Sequence, residues 1–206
     1  DEITNGGLPT GRVTLIWGGV GCGKTLTALE FLVRGATEFG EPGVMFAFEE
    51  TAAELMENTA SLDFNLQGLI DSGRLVIEGG GMCPGMIEGA GGFTLDGLLI
   101  RLNQAIERVG AKRIVLDTLD VLFASLPDAK GLRDELHRLC LWLRERGLTV
   151  VLTGERDDQT IIRWGFEEYV ADCVIVLDHR VDTQLSTRRM RIVKYRGTAH
   201  GANEYP

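Results

Sequence analysis

Short, wholly apolar runs alternate along the chain with longer stretches in which apolar residues recur every three or four positions. Val13-Thr14-Leu15-Ile16-Trp17 is compact, apolar and β-branched, and predicts a buried strand. From 26 to 39 the apolar residues fall at 28, 29, 32, 33 and 36, which is helical spacing. Gly40-Glu41-Pro42-Gly43 stops that helix, and residues 44–48 predict a second buried strand that ends at Glu49-Glu50. Thr51, with Glu54 three residues on, is the signature of a capping box opening a helix to about 61. A short helix over 66–71 and a weak strand over 74–78 follow. Residues 79–92 hold seven glycines and no period, and predict a loop. Further on, the pattern predicts helices over 94–109 and 130–146, and strands over 113–117, 148–153 and 173–177. The last strand opens a hairpin with arms near 173–181 and 187–195.

Strands that are apolar along their whole length and alternate with helices predict an α/β fold, a mostly parallel sheet covered on both faces. Such sheets bind ligands outside the carboxyl ends of their strands. The chemistry is therefore expected after strands 13–17, 44–48, 113–117 and 148–153. No internal repeat is apparent, and the 206 residues are expected to form a single domain.

The stretch after the first strand meets that expectation. Gly18-Gly19-Val20-Gly21-Cys22-Gly23-Lys24-Thr25 fits G-x-x-x-x-G-K-[ST], the phosphate-binding loop of nucleoside triphosphatases. Glycines let successive backbone N–H groups turn inward toward a phosphate. Lys24 would reach the β- and γ-phosphates, and the Thr25 hydroxyl would ligate Mg²⁺. Residues Gly19 to Leu26 are the expected cradle for ATP, above the positive end of the following helix. Asp117, ending a buried strand, has the setting of the carboxylate that holds Mg²⁺ beside Thr25. Glu49 and Glu50 leave the neighbouring strand at the same edge, where a carboxylate could orient and deprotonate the attacking water. Adjacent strand residues point to opposite faces, so the two are not expected to share that task equally. Thr153 and Glu155 end a further strand, and a hydroxyl there could sense the γ-phosphate.

Composition narrows the partners. The net charge of −9 argues against nucleic acid as the main ligand. Charge is uneven, however: from Arg180 onward six Lys/Arg face two acids, against fifteen and twenty-eight in the rest of the chain. A basic tail on an acidic body is expected to meet anions. Lys194 and Arg196, two apart in a predicted strand, share one face and would suit fingers reaching a neighbouring subunit's triphosphate. No run of 18 apolar residues spans a membrane. Cys22, Cys83, Cys140 and Cys173 lack metal-type spacing and read as reduced, small hydrophobic residues, which with the polar start predicts a cytoplasmic protein.

The chain resembles the KaiC family of circadian-clock ATPases in the RecA superfamily, most closely the family's N-terminal ATPase domain. The resemblance rests on Gly6-Gly7-Leu8-Pro9-x-Gly11, the phosphate loop, Glu41-Pro42-Gly43-Val44 with Phe48-Glu49-Glu50-Thr51, and Gly91-Gly92-Phe93. It continues through Asp117, Arg133-x-Glu135-Leu136-x-Arg138-Leu139, Thr153-x-Glu155-Arg156, Gly165-x-Glu167-Glu168-x-Val170-x-Asp172 and Lys194-x-Arg196-Gly197-Thr198-x-His200. It implies a RecA-like fold and a hexameric ring that slowly hydrolyses ATP with Mg²⁺ at subunit interfaces. Lys24, Thr25 and Asp117 would serve one side, with Glu49 and Glu50 as catalytic carboxylates and Glu50 near the metal. The neighbour would supply Lys194 and Arg196, with Arg188, Tyr195, Thr198 and His200 near base and ribose. KaiB-type proteins are the implied partners.

Two departures qualify the resemblance. The family pairs two such domains, so the chain is expected to be part of a longer or tandem protein. The second domain of that tandem phosphorylates its own Ser and Thr just before the last hairpin, where this chain has Glu167-Glu168-Tyr169-Val170-Ala171-Asp172. Self-phosphorylation there is not expected, and kinase activity in the longer parent stays as an alternative. A RecA- or DnaB-like DNA-dependent ATPase is a second alternative, weakened by the small positive charge near 119–130 and 154–168.

Overall fold

The computed structural model describes all residues except 1, 2, 5, 81–87, 90, 91, 94, 124–128, 156–169, 183, 184 and 202. Six parallel strands and one antiparallel strand form the main sheet. These are β1 (Val13–Gly18), β2 (Gly43–Ala47), β3 (Leu75–Gly79), β6 (Arg113–Asp117), β7 (Thr149–Glu155), β8 (Cys173–Asp182) and β9 (Leu185–Tyr195), in the spatial order β3-β2-β6-β7-β1-β8-β9. Only β9 runs antiparallel, against β8. A two-residue ladder, β4 (Glu88–Gly89) with β5 (Gly92–Phe93), stands apart. It interrupts the predicted 79–92 loop and ends one residue past it.

Both faces of the sheet are buried, which is why its strands are apolar throughout. On one face Leu15 and Trp17 of β1 join Leu98 and Leu102 of α4 (Asp96–Val109) and Leu136, Leu139 and Leu143 of α6 (Ala129–Glu145). On the other, Ile16 of β1 meets Ala28, Leu29 and Leu32 of α1 (Lys24–Glu38). Leu136 and Leu139 are at most 2% exposed, and cutting either back to alanine costs about 2–5 kcal/mol by emptying packed space.

The predicted elements appear with shifted ends. The first helix begins at Lys24, so Lys24 and Thr25 lie in its first turn. The helix after Thr51 is α2 (Ala52–Asn58), opened by the predicted capping box with Glu54. It stops short of 61 because a 3₁₀ turn (Ala60–Leu62) and left-handed Asp63 and Asn65 redirect the chain into α3 (Leu66–Asp71). A short helix, α5 (Leu119–Phe123), follows Asp117, where the periodicity gives no sign of one. The hairpin arms are longer than predicted.

Candidate functional site

Parallel pairing brings four strand ends to one edge. Gly18 lies level with Glu155 of β7 and Leu177 of β8, and Ala47 of β2 lies level with Asp117 of β6. The phosphate loop leaves this edge with Gly21 at φ 74° and Gly23 at φ 98°, left-handed values that glycine adopts without strain. At Gly18 a Cβ would meet the Leu177 carbonyl oxygen at 2.7 Å, whereas the space beside Gly19 is open. Beyond Gly23, α1 starts with no side-chain cap and no acid in its first turn, so its leading N–H groups are left for a ligand. Lys24 Nζ donates to the carbonyls of Gly18 and Gly19, both at 2.9 Å. Val20 is 84% exposed at the loop tip.

Asp117 is the hub of the edge, buried and gripped at both carboxylate oxygens. The Thr25 hydroxyl donates to Oδ2 at 2.8 Å, and the Thr153 hydroxyl donates to Oδ1. A second carboxylate, Asp120, accepts from the Thr118 hydroxyl at 2.8 Å and the Glu155 amide at 2.6 Å. Asp120 belongs to α5 and is absent from the sequence-based candidates. Its only local signal is the short Thr118-x-Asp120 spacing.

The two glutamates at 49 and 50 part company in the bend that follows β2. Burial pushes the Glu49 carboxyl above its ordinary range, and the negative charges of Glu155, Asp117 and Asp120 push it further, against the pull of Lys24. Glu49 therefore feels the site's charges directly. Glu50 instead accepts a hydrogen bond from Asn58 of α2 at 2.9 Å. The structure thus gives Glu50 a partner on α2.

The tail residues lie elsewhere. Lys194 pairs with Val174, which lies level with Leu15, so Lys194 sits toward the start of β1, away from the phosphate-loop edge and two strands over. Its Nζ donates to the Ala171 carbonyl at 2.7 Å, and Arg196 Nη1 lies 3.8 Å from Asp172 Oδ1. Asp172 is itself clamped by Arg144 of α6 at 2.8 Å. A bulge at Val193 interrupts the ladder: Val174 faces Lys194 and Ile175 faces Ile192. Tyr195 turns the other way, donating its hydroxyl to the Gly7 carbonyl at 3.0 Å. Thr198 is exposed, and His200 Nδ1 lies 3.1 Å from the Gly201 carbonyl. Arg188 pairs with His179 toward the far end of β9, about 20 Å of strand from Lys194. Within one chain, then, the structure gathers Gly19 to Thr25, Glu49 and Asp117, and leaves Arg188 apart from Lys194 and Arg196.

Cys22 is buried against Gly18, and burial pushes its thiol up despite the nearby Lys24. Burial likewise raises Cys173 to about 11 and Cys140 to about 12. None of the three is in a disulfide, and protonated thiols of this kind react slowly.

A strand–glycine loop–helix unit on a parallel sheet, with a carboxylate at the end of a strand one removed from it bonded to the threonine that follows the loop, defines a P-loop nucleoside triphosphatase of RecA-like α/β fold. The family model for the KaiC ATPase matches residues 1–206, and the chain belongs to the KaiC family. It is 52% identical over its whole length to the circadian clock protein KaiC2 of Synechocystis sp., covering 36% of that protein. It is 40% identical to the circadian clock oscillator proteins KaiC of Thermostichus vulcanus and Synechococcus elongatus, again over its whole length and covering 40% of each. The chain thus spans about two fifths of these relatives and corresponds to one KaiC-like half.

Proposed function

We propose that this domain binds ATP with Mg²⁺ and hydrolyses it slowly at sites shared between neighbouring copies in a ring. The observation that carries the reading is the division of one residue set between two regions of one sheet. The loop, Glu49 and Asp117 stand at one edge, while Lys194 and Arg196 stand toward the other end. Two such chains set side by side would complete a site that a single chain leaves half built.

The residues present fit the nucleotide and the ion. Among the described residues no group of three or more His, Cys, Asp and Glu side chains could hold a metal alone. Mg²⁺ suits such a site, because it takes one carboxylate and a hydroxyl and fills its shell with phosphate oxygens and water. When bound, the ion would offset charge developing on the β- and γ-phosphates. Thr25 donates its proton to Asp117, which leaves hydroxyl lone pairs for the ion. Lys24 exchanges two carbonyl acceptors for phosphate oxygens, so its charge is already aimed at the loop. Glu49 holds the proton of the attacking water, and its raised pKa brings it nearer to neutral operation. Lys194 and Arg196 of the neighbour stabilise the transferring phosphoryl group.

In this reading residues 1–206 form one domain of a longer cytosolic protein, and the ring passes its nucleotide state to a protein partner of the KaiB type. No helix among the described residues is long and apolar enough to cross a membrane. The mass of the chain in solution, with and without a non-hydrolysable ATP analogue, tests the assembly. A ring of six that forms or tightens with nucleotide is expected. A monomer that hydrolyses ATP at the full rate would overturn the shared site.

A further inference from the structure

Thr153 has geometry that its place in the sequence does not reveal. It is 0% exposed, and its hydroxyl is spent on Asp117 Oδ1. Thr25 occupies the other oxygen, Oδ2. The two threonines come from different elements. Thr25 lies in the first turn of α1, while Thr153 is a residue of β7, level with Ile16 of β1. The β6–β7 ladder runs through Leu116 and Leu152, which brings the next pair, Asp117 and Thr153, side by side. Val151 packs on the α1 face of the sheet, so Thr153, two residues on, stands on that same face with Thr25.

A carboxylate held by one donor can rotate about its Cβ–Cγ bond, and one held at both oxygens cannot without breaking a bond. At a position closed to solvent, water does not replace a lost donor, so the orphaned oxygen turns to seek another. That rotation carries Oδ2 away from Thr25 and from the direction in which an ion would be met. A hydroxyl committed to Asp117 is also one that is not waiting for a γ-phosphate.

We propose that Thr153 is a positioning residue that fixes the orientation of Asp117 and so sets the Mg²⁺ requirement of the site, without itself touching nucleotide. The proposal rests on the ATP–Mg²⁺ reading above. It assigns Thr153 to the metal side of the site, where its place at a strand end pointed to the γ-phosphate.

The test uses the whole chain and a fluorescent ATP analogue. Its binding is measured in EDTA and across a Mg²⁺ titration, with Mn²⁺ binding followed by electron paramagnetic resonance. Thr153→Val keeps the shape and removes the donor, and is expected to raise the midpoint of the Mg²⁺ titration and the Mn²⁺ dissociation constant about tenfold. Binding in EDTA is expected to stay within about twofold of the parent, because the loop itself is untouched. Thr153→Ser restores the hydroxyl and is expected to bring the midpoint back to within about twofold. A Thr153→Val midpoint equal to that of the parent overturns the proposal, as does a serine variant as impaired as the valine one. If the valine variant fails to bind nucleotide even in EDTA, Thr153→Ala carries the same comparison. Failure of the underlying reading has a different signature: the parent chain shows no Mg²⁺-dependent binding, or Asp117→Asn leaves the midpoint unmoved.

Discussion

The loop edge and the β9 foot of the same sheet are built in opposite ways. At the loop edge several polar side chains are already held by their own chain: Lys24 on two loop carbonyls, Thr25 and Thr153 on Asp117, Thr118 on Asp120. These partners are set by strand ends that hydrogen bonding places level with one another, so the edge is preorganised and changes little when ligand replaces a carbonyl. At the foot of β9, Lys194 reaches the Ala171 carbonyl, and Arg196, half exposed, lies 3.8 Å from an Asp172 that Arg144 also holds. A half-exposed ion pair at 3.8 Å contributes little, by solvent screening. The difference teaches a division of labour. In the proposed reading the loop edge binds nucleotide, and the foot supplies cations to a neighbour.

Breaking either end should give different losses. Lys24→Ala is expected to abolish both nucleotide binding and turnover. Arg196→Ala is expected to cut turnover by about 10³-fold or more while binding of the ATP analogue changes far less, as a transition-state cation requires. Steady-state ATPase assays beside equilibrium binding separate the two. Equal losses of binding in both variants would erase the contrast.

Within the loop edge, Glu49→Gln is expected to lower turnover by about 10²–10⁴-fold with binding retained, since it removes the proton acceptor. Glu50→Gln keeps most of its contact with Asn58 and is expected to cost clearly less in single-turnover assays. A Glu50 variant as slow as the Glu49 one would show that both carboxylates face the reaction.

The smallest effect concerns pH. In the proposed reading hydrolysis needs Glu49 ionised, and its raised pKa moves the acid limb of the rate profile upward from that of an ordinary glutamate. Glu155→Gln removes one of the negative charges that raise it, so that limb is expected to move to lower pH by less than about one unit. A shift to higher pH would show that Glu49 is not the group that titrates.

Much of the fold was legible because its signals are local. Wholly apolar runs marked the buried strands, the capping box of Thr51 and Glu54 marked a helix start, and the glycines at 21 and 23 marked the loop. What escaped depends on contacts distant in sequence. Asp120 matters because β7 delivers the Glu155 amide from 35 residues away, and Thr153 matters because β6 lies beside it. Asp172 ties α6, β9 and the start of β1 together, accepting from the Val13 amide at 3.4 Å as well as from Arg144, and no window of sequence around it shows that. The stretch 156–169, which carries part of the family pattern, lies outside the described residues. The facing of Glu49 and Glu50 was legible only as a choice, which the fields around Glu49 and the Asn58 contact of Glu50 resolve into two environments.

The shared site is tested most directly by mixing two dead variants. Lys24→Ala chains keep an intact foot and Arg196→Ala chains keep an intact loop, so each lacks what the other has. Co-assembled in equal amounts, they should regain about one quarter of the parent turnover, the fraction of head-to-tail interfaces at which an intact loop meets an intact foot. Turnover that stays at the level of the separate variants, although mixed rings are seen by mass, would contradict a site built from two chains.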